Sequence, residues 1–210
     1  MIQRDTCYTC YRPKTSCMCK YIKPIDTNTK FIILMHPKEY RKTKNGTGHF
    51  TNKSLTNSEI FIGINFTNND KINEILNNKE NECFILYPGN DSIKLNQESI
   101  QTKKNIVLFI IDSTWACSKK MIRESKNLKN LRKVSFQSTR TSEFKIKEQP
   151  ASYCLSTIES TQYILELLNK HNLENIPKNS LTEFTKPFKK MVDFQLDCLD
   201  KSKNIRYKEY

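Results

Sequence analysis

The sequence has no long hydrophobic run. Hydrophobic residues make up 37% of its 210 positions, and no apolar stretch approaches the roughly 18–20 residues that a membrane span requires. Its first residues lack the charged and then apolar layout of a secretory signal. We therefore expect a cytoplasmic protein without a membrane partner, whose eight cysteines are mostly reduced. The sequence also lacks internal repeats and low-complexity linkers, which excludes repeat architectures.

Acidic residues are scarce relative to basic ones. The chain has 22 Asp and Glu against 35 Lys and Arg, which gives a formal net charge of +13. This excess favours a polyanionic partner, because Lys and Arg neutralise phosphates and release counterions. Nucleic acid is the leading candidate, although a genome of low GC content can also produce a composition rich in Lys and Asn.

Three short apolar runs, at 31–35, 83–87 and 106–111, predict the core of one main domain. Runs of this length, rich in β-branched residues, are typical of strands buried on both faces of a parallel sheet. In open α/β sheets, ligands bind beyond the carboxyl ends of such strands. The residues that follow the three runs, beginning at His36, Pro88 and Asp112, therefore predict one shared cleft that holds the active site.

The cysteines of the N-terminal segment are closely spaced as Cys7-x2-Cys10-x6-Cys17-x-Cys19. Four cysteines at this spacing can close a tetrahedral thiolate site, and a complete set of four indicates structural zinc rather than catalytic zinc. A disulfide, which a reducing compartment disfavours, and an iron–sulfur cluster are the alternatives. We expect a zinc-binding module at 1–22 and a catalytic domain at 23–210. The other cysteines are scattered and are expected to be buried as small apolar side chains: Cys83, Cys117, Cys154 and Cys198.

Asp112 is the candidate catalytic residue. A carboxylate at the end of the most apolar strand, beside the start of a helix, could accept a proton, and Trp115 could stack on a base or on adenine. The alternative makes Asp112 or Ser113 the N-cap of that helix and Trp115 a core aromatic.

Further elements surround this candidate site. We expect a strand at 60–66, and a helix at 116–128 whose basic face is either RNA-binding or simply solvated. The segment that begins at His36 could bind substrate, or it could be a polar loop that covers the sheet. Ser156 and Glu159 fit a capping box ahead of a helix, and Pro187 marks the start or a kink of a C-terminal helix.

Five motifs in order resemble the DTW-domain family of tRNA-uridine aminocarboxypropyltransferases, which is named for an Asp-x-Thr-Trp sequence. They extend through nearly the whole chain. They are the cysteine module with Arg12-Pro13, His36-Pro37-x-Glu39 with Asn45-x-Thr47-Gly48, Leu86-Tyr87-Pro88-Gly89, Asp112-x-Thr114-Trp115, and Ser156-Thr157-x-Glu159.

The resemblance implies a SPOUT-like α/β fold, with a mostly parallel sheet flanked by helices and a knotted C-terminal region that holds S-adenosylmethionine. It implies transfer of the 3-amino-3-carboxypropyl group to N3 of a tRNA uridine, which forms acp3U and releases 5′-methylthioadenosine. Asp112 would accept or polarise the N3 proton. Because a uridine imide is a weaker acid than a carboxylic acid, this requires concerted transfer or a carboxylate made more basic by its surroundings.

The resemblance also implies binding residues. The cofactor would be surrounded by Leu86, Tyr87, Pro88, Gly89, Ile111, Ser113, Thr114, Trp115, Leu155, Ser156 and Thr157, and Glu159 would fix a loop or hold the cofactor's amino group. The RNA would be contacted by His36, Arg41, Lys44, Asn45, Lys119, Lys120, Arg123 and Arg140.

Two other functions are alternatives. A SPOUT-type RNA methyltransferase would share the fold, the cofactor and the charge, and would release S-adenosylhomocysteine. A zinc-dependent RNA-binding protein without catalysis would bind RNA whether or not S-adenosylmethionine is present. The sequence is compatible with a monomer and with a homodimer.

Overall fold

The computed structural model describes residues 5–10, 12–42, 46–146 and 154–206. Within these ranges, two 3-10 turns at Lys14–Ser16 and Cys19–Tyr21 precede a series of strands and α-helices. In chain order these are β1 (Lys30–Met35), α1 (Pro37–Lys42), α2 (Thr47–Lys53), β2 (Ser58–Ile62), α3 (Asp70–Asn77), β3 (Asn81–Leu86), β4 (Ile93–Lys94), β5 (Asn105–Asp112), α4 (Trp115–Glu124), β6 (Arg132–Ser135), α5 (Thr157–Lys170), α6 (Lys178–Phe184) and α7 (Lys186–Arg206).

The strands form one parallel sheet with the order β2-β1-β5-β3-β6-β4. The three predicted apolar runs correspond to β1, β3 and β5, which lie side by side in the sheet as β1-β5-β3. Almost every residue of β1 and β5 is buried, as expected of strands covered on both faces. The predicted α/β class and its parallel sheet are confirmed, and the knot implied by the resemblance stays a prediction.

Helices cover both faces of the sheet. Alternate residues of each strand point to opposite faces, so each strand contributes to two core clusters. On one face, Phe31 and Leu108 belong to a core cluster with residues of α2, α5, α6 and α7. On the other face, Ile32 and Phe109 belong to a second cluster with Ile72 of α3 and Met121 of α4. None of the helices in the described part of the chain has the length and apolar character needed to cross a bilayer.

Two predicted elements are shorter than expected. The strand expected at 60–66 ends at Ile62, and the irregular segment that follows it places Phe66 in the core. The helix expected at 116–128 ends at Glu124. There the Ser125 hydroxyl accepts a hydrogen bond from the Phe66 N–H at 3.0 Å, so a tertiary contact sets the end of the helix. The capping box of Ser156 and Glu159 at the start of α5 is confirmed, as is a helix start at Pro187, the second residue of α7.

The N-terminal segment packs against the main core. Met18 is only 5% exposed and belongs to the same cluster as residues of α7, and Tyr21 and Ile22 pack against that cluster. The Lys53 ammonium at the end of α2 donates to the Thr9 carbonyl at 2.9 Å. The boundary between 22 and 23 stays a prediction, and these contacts attach its two sides to each other.

Candidate active site and metal centre

Asp112 is the last residue of β5 and lies at the carboxyl edge of the sheet. Its side chain is only 7% exposed, and it is paired in register with Met35 at the end of β1. Its carbonyl accepts a hydrogen bond from the His36 N–H at 3.1 Å. The structure therefore brings together two residues that the sequence analysis placed after different strands.

Two other elements enclose the Asp112 carboxylate. The Thr157 hydroxyl, on the first residue of α5, donates to Oδ1 at 2.6 Å. Gly48 of α2 lies so close that a Cβ added there would be 2.4 Å from Oδ2. A carboxylate fixed in this way has one orientation, which is what proton transfer to a positioned base requires. Thr157, which the resemblance assigns to the cofactor, thus also contacts Asp112, and its motif did not predict this contact.

The contact with Gly48 makes a Gly48→Ala variant informative. We expect its rate of catalysis to fall about a hundredfold, because a shift of about 1 Å at the reacting group is enough for such a loss. Overpacking should lower the free energy of unfolding by about 1–3 kcal/mol. The measurements are single-turnover rates and urea unfolding. Gly63→Ala is the matched control, since its Cβ would be only 3.0 Å from the Phe66 ring and the carboxylate is not involved. Equal rates for the two variants would contradict this role of Gly48.

His36 is buried beside Asp112. Its Nδ1 accepts the Lys38 N–H at 3.1 Å, so in the neutral ring the proton lies on Nε2, which can donate. Burial lowers the pKa of His36, and the positive charge of Lys38 lowers that pKa further. His36 is therefore a neutral hydrogen-bond donor near pH 7. This side chain, which was predicted to contact RNA, would do so without a positive charge.

The residues predicted to surround the cofactor follow β3 and β5. Trp115 is 43% exposed, and its ring meets the Tyr87 ring edge-on with centroids 6.3 Å apart. The N-cap of α4 is Thr114, and its side chain makes no capping hydrogen bond. The structure thus contradicts the alternative in which Asp112 or Ser113 caps this helix and Trp115 lies in the core. Leu86 and Ile111 are half-buried, and Pro88 and Gly89 are exposed.

Glu159 fixes a loop, which is one of the two roles expected for it. Its carboxylate accepts the Ser156 N–H at 2.9 Å within the capping box. It also accepts the Ser142 hydroxyl at 2.8 Å and the Glu143 N–H at 2.7 Å. One side chain therefore attaches the segment 142–143 to the start of α5, next to Leu155 and Thr157.

The predicted RNA-contacting cations are not all equivalent. Lys119 and Lys120 are exposed on α4, and the charge of Lys120 acts on His36. Arg123 forms an ion pair with Glu124. Arg140 makes two hydrogen bonds to Glu166 and lies over the Tyr163 ring, so it is held against α5. Two further predicted residues and one predicted side chain lie outside the described residues: Lys44 and Asn45, and the side chain of Arg41.

The four N-terminal cysteines form one cluster. Their sulfur atoms lie within 4.8 Å of one another, with 3.6 Å between Cys10 and Cys17 and 4.0 Å between Cys7 and Cys19. Sulfurs that bind one zinc ion at about 2.3 Å in a tetrahedron are about 3.8 Å apart. The cluster could therefore hold a metal ion, and its geometry fits tetrahedral zinc.

The surroundings of the cluster also suit a metal thiolate site. The N–H groups of Cys10 and Thr9 lower the pKa of Cys7 to about 6, which favours its thiolate, whereas burial raises the pKa of Cys10 and of Cys19. A bound metal ion would favour the thiolate at each cysteine that binds it. Arg12 is buried beside the cluster. Burial lowers its pKa, and the charges of Cys10 and Cys17 act in the opposite direction. A buried guanidinium offsets part of the net negative charge that four thiolates and one Zn²⁺ would carry.

The remaining cysteines do not join this cluster. Cys83, Cys117 and Cys154 are partly buried, whereas Cys198 is exposed on α7, so the expectation of burial is wrong for Cys198. The neighbouring residues of α7, Asp197, Leu199 and Asp200, are exposed as well, so this part of the helix does not pack against the core.

The parallel sheet, the buried carboxylate at its carboxyl edge and the four-cysteine cluster define an α/β protein with a candidate active site at that edge and a candidate metal centre near the N-terminus. The family model of the DTW domain matches residues 4–196. The chain belongs to the DTW domain family.

Curated proteins from several organisms are similar to this chain. The tRNA-uridine aminocarboxypropyltransferase 2 of Drosophila melanogaster is 28% identical over 202 residues, which cover 93% of this chain and 76% of the relative. The protein of the same name from Macaca fascicularis is 25% identical over 175 residues, 81% of this chain and 58% of the relative. The tRNA-uridine aminocarboxypropyltransferase A of Arabidopsis thaliana is 25% identical over 223 residues, 92% of this chain and 81% of the relative.

The similarity therefore spans little more than half the length of the macaque relative, and most of the other two. No solved structure matches this chain.

Proposed function

We propose that the protein transfers the 3-amino-3-carboxypropyl group of S-adenosylmethionine to N3 of a tRNA uridine, forming acp3U and releasing 5′-methylthioadenosine. The similar proteins carry the name tRNA-uridine aminocarboxypropyltransferase, which supports the reaction class. The observation that carries the proposal is the Asp112 carboxylate, buried at the carboxyl edge of the sheet between Gly48 and Thr157. A protein that only bound RNA would have no need of such an arrangement.

The residues after β3 and β5 fit a ligand with an aromatic and apolar part. Tyr87 and Trp115 form a partly exposed aromatic pair, and Leu86 and Ile111 add half-buried apolar surface. These residues, with Gly89 and the start of α5, would hold S-adenosylmethionine. When bound, this molecule supplies an electrophilic γ-methylene next to a positively charged sulfur.

Asp112 would take the N3 proton of the uridine as the bond between N3 and the γ-methylene forms. The bond from that carbon to sulfur breaks, and its electron pair leaves with methylthioadenosine. The transfer would be concerted, or the carboxylate would have to be made more basic by its surroundings, because a uridine imide is a weaker acid than a carboxylic acid. His36, a neutral donor beside Asp112, could polarise a uracil carbonyl and so favour loss of the proton.

The excess of positive charge supports a tRNA partner. Lys119 and Lys120 are exposed on α4, which begins three residues after Asp112, and would contact phosphates. Arg140 would have to exchange Glu166 for a phosphate before it could do the same. We propose structural zinc for the cysteine cluster, since its sulfur geometry fits the ion.

Product analysis tests the reaction. The purified protein is incubated with unmodified tRNA and S-adenosylmethionine, and nucleosides and small molecules are identified by mass spectrometry. A uridine heavier by the aminocarboxypropyl group, with methylthioadenosine released, is the expected result. A methylated nucleoside with S-adenosylhomocysteine would instead establish the methyltransferase. tRNA binding without any product would establish the RNA-binding protein.

A further inference from the structure

We propose that Tyr40 and His49 form a stacking site for an unpaired base of the RNA next to the target uridine. The inference rests on the proposed function and extends it to a second contact with the same substrate. Tyr40 of α1 is a large side chain that remains 48% exposed. Its ring lies 5.6 Å from the ring of His49, at an interplanar angle of 48°, so His49 supports one side of it.

Short connections link both residues to Asp112, the candidate catalytic residue. The Asp112 carbonyl accepts the His36 N–H at 3.1 Å, and the His36 carbonyl accepts the Tyr40 N–H at 3.2 Å. His49 directly follows Gly48, the residue in closest approach to the Asp112 carboxylate. Tyr40 thus contacts His36, and His49 adjoins Gly48, and both His36 and Gly48 contact Asp112. This placement suits a nucleotide next to the reacting one.

The order of strands separates this site from the predicted cofactor residues. Tyr40 follows β1, which lies on one side of β5, whereas Leu86 and Tyr87 belong to the end of β3, on the other side. Thr157 of α5 reaches Asp112 as well and belongs to the cofactor group. The two sides of Asp112 thus offer separate aromatic surfaces, and the β1 side is left for RNA.

The chemistry of the β1 side matches an RNA strand. Burial lowers the pKa of His49 and Lys53 lowers it further, so the ring that supports Tyr40 is neutral near pH 7. Exposed Lys38 and Lys120 lie close enough to His36 to act on its charge, and can contact phosphates. Aromatic side chains beside such cations are the usual arrangement of single-stranded RNA sites, where bases stack and the backbone is neutralised.

Exposed large hydrophobic side chains are concentrated at this edge. Among the described residues, three of the five exposed large hydrophobic side chains lie here: Ile62 is the last residue of β2, and Tyr40 and Trp115 come after β1 and β5. Ile62 is paired in register with Met35 at the end of β1. Exposed apolar surface gathered around a buried carboxylate indicates a binding surface rather than scattered exposure. The flat base of an unpaired nucleotide is the occupant that suits a half-exposed tyrosine.

Three variants of Tyr40 test the site. Tyr40→Ala and Tyr40→Leu are expected to raise the Kd and the KM for tRNA about tenfold, as loss of one stacked base does. Tyr40→Phe keeps the ring and is expected to stay within about twofold of the parent. The leucine variant is the matched control for apolar area, because it keeps a large apolar side chain without an aromatic face. The KM for S-adenosylmethionine and the kcat at saturating tRNA should change less than about twofold for all three.

A substrate series then identifies the stacked base. Once the modified uridine is mapped, an abasic nucleotide is placed on either side of it. For the parent, one of these abasic substrates should bind about tenfold more weakly than intact RNA. For Tyr40→Ala, the same abasic substrate and intact RNA should bind equally well, because the stacking contact is already lost. A parent that forms product while Tyr40→Ala and Tyr40→Leu bind tRNA normally would overturn the stacking site alone. An increased KM for S-adenosylmethionine would overturn it as well. Binding that depends on Tyr40 without any product would overturn the proposed reaction alone.

Discussion

An Asp112→Asn variant is expected to bind tRNA and S-adenosylmethionine as the parent does, and to transfer the group about 10²–10⁴ times more slowly. A positioned general base contributes about this much to a rate, and an amide cannot accept the proton. The side chain is nearly isosteric, and its carbonyl oxygen can still accept the Thr157 hydroxyl that now donates to Oδ1 at 2.6 Å. The measurement is the single-turnover rate of product formation at saturating substrates, with binding constants measured separately.

The design separates catalysis from folding and from charge. Asp70→Asn removes the same charge from an exposed residue at the start of α3 and should leave the rate unchanged. Thermal unfolding of Asp112→Asn should stay within a few degrees of the parent, because the hydrogen bond to Thr157 is retained. If Asp112→Asn kept its rate to within tenfold, Asp112 would not be the proton acceptor. Loss of tRNA binding in this variant would assign it a role in substrate binding instead.

The sequence was sufficient to predict the centre of the sheet and insufficient for its margins. Runs such as Phe31 to Met35 are apolar at every position, and a strand covered on both faces buries all of them. β4 has two residues and β6 has four, of which Val134 alone is fully buried. Strands this short have no periodicity of their own, and their pairing depends on the sheet that forms beside them.

The candidate site shows the same division between local motifs and distant contacts. The motifs around Asp112 and the cysteine cluster could be found because spacing along the chain is part of their chemistry. The hydrogen bond between Thr157 and Asp112 joins residues 45 positions apart, and the close approach of Gly48 depends on how α2 packs. Neither follows from periodicity, since each is set by the tertiary arrangement of helices around one strand end.

The role of Glu159 illustrates why a correct motif can leave a function open. Ser156 and Glu159 were sufficient to predict the start of α5, because a capping box is local. The same carboxylate also accepts the Ser142 hydroxyl and the Glu143 N–H. Those donors come from a segment without regular structure, so only the folded chain shows that the capping residue also holds a loop.

Removal of zinc is the second change with a large expected effect. We expect the purified protein to contain about one zinc per chain, and Cys17→Ser to contain almost none, because a tetrahedral site fails without one of its four ligands. Structural zinc contributes on the order of 10–16 kcal/mol of apparent binding free energy to such modules. The segment around the cysteines should therefore unfold first, measured by metal analysis and by hydrogen exchange of residues 5–23.

The effect of metal loss should extend beyond the cysteines, since Met18 belongs to the hydrophobic core and Tyr21 and Ile22 pack against that core. We therefore expect a lower melting temperature for the whole domain in Cys17→Ser. Cys198→Ser is the matched control, because it makes the same chemical change at an exposed cysteine outside the cluster and should keep both metal and stability.

Iron and visible absorbance in the parent would favour the iron–sulfur alternative. A Cys17→Ser protein that still held one zinc would overturn the four-cysteine site, whereas zinc loss with no change in melting would show that the segment contributes nothing to the core it contacts.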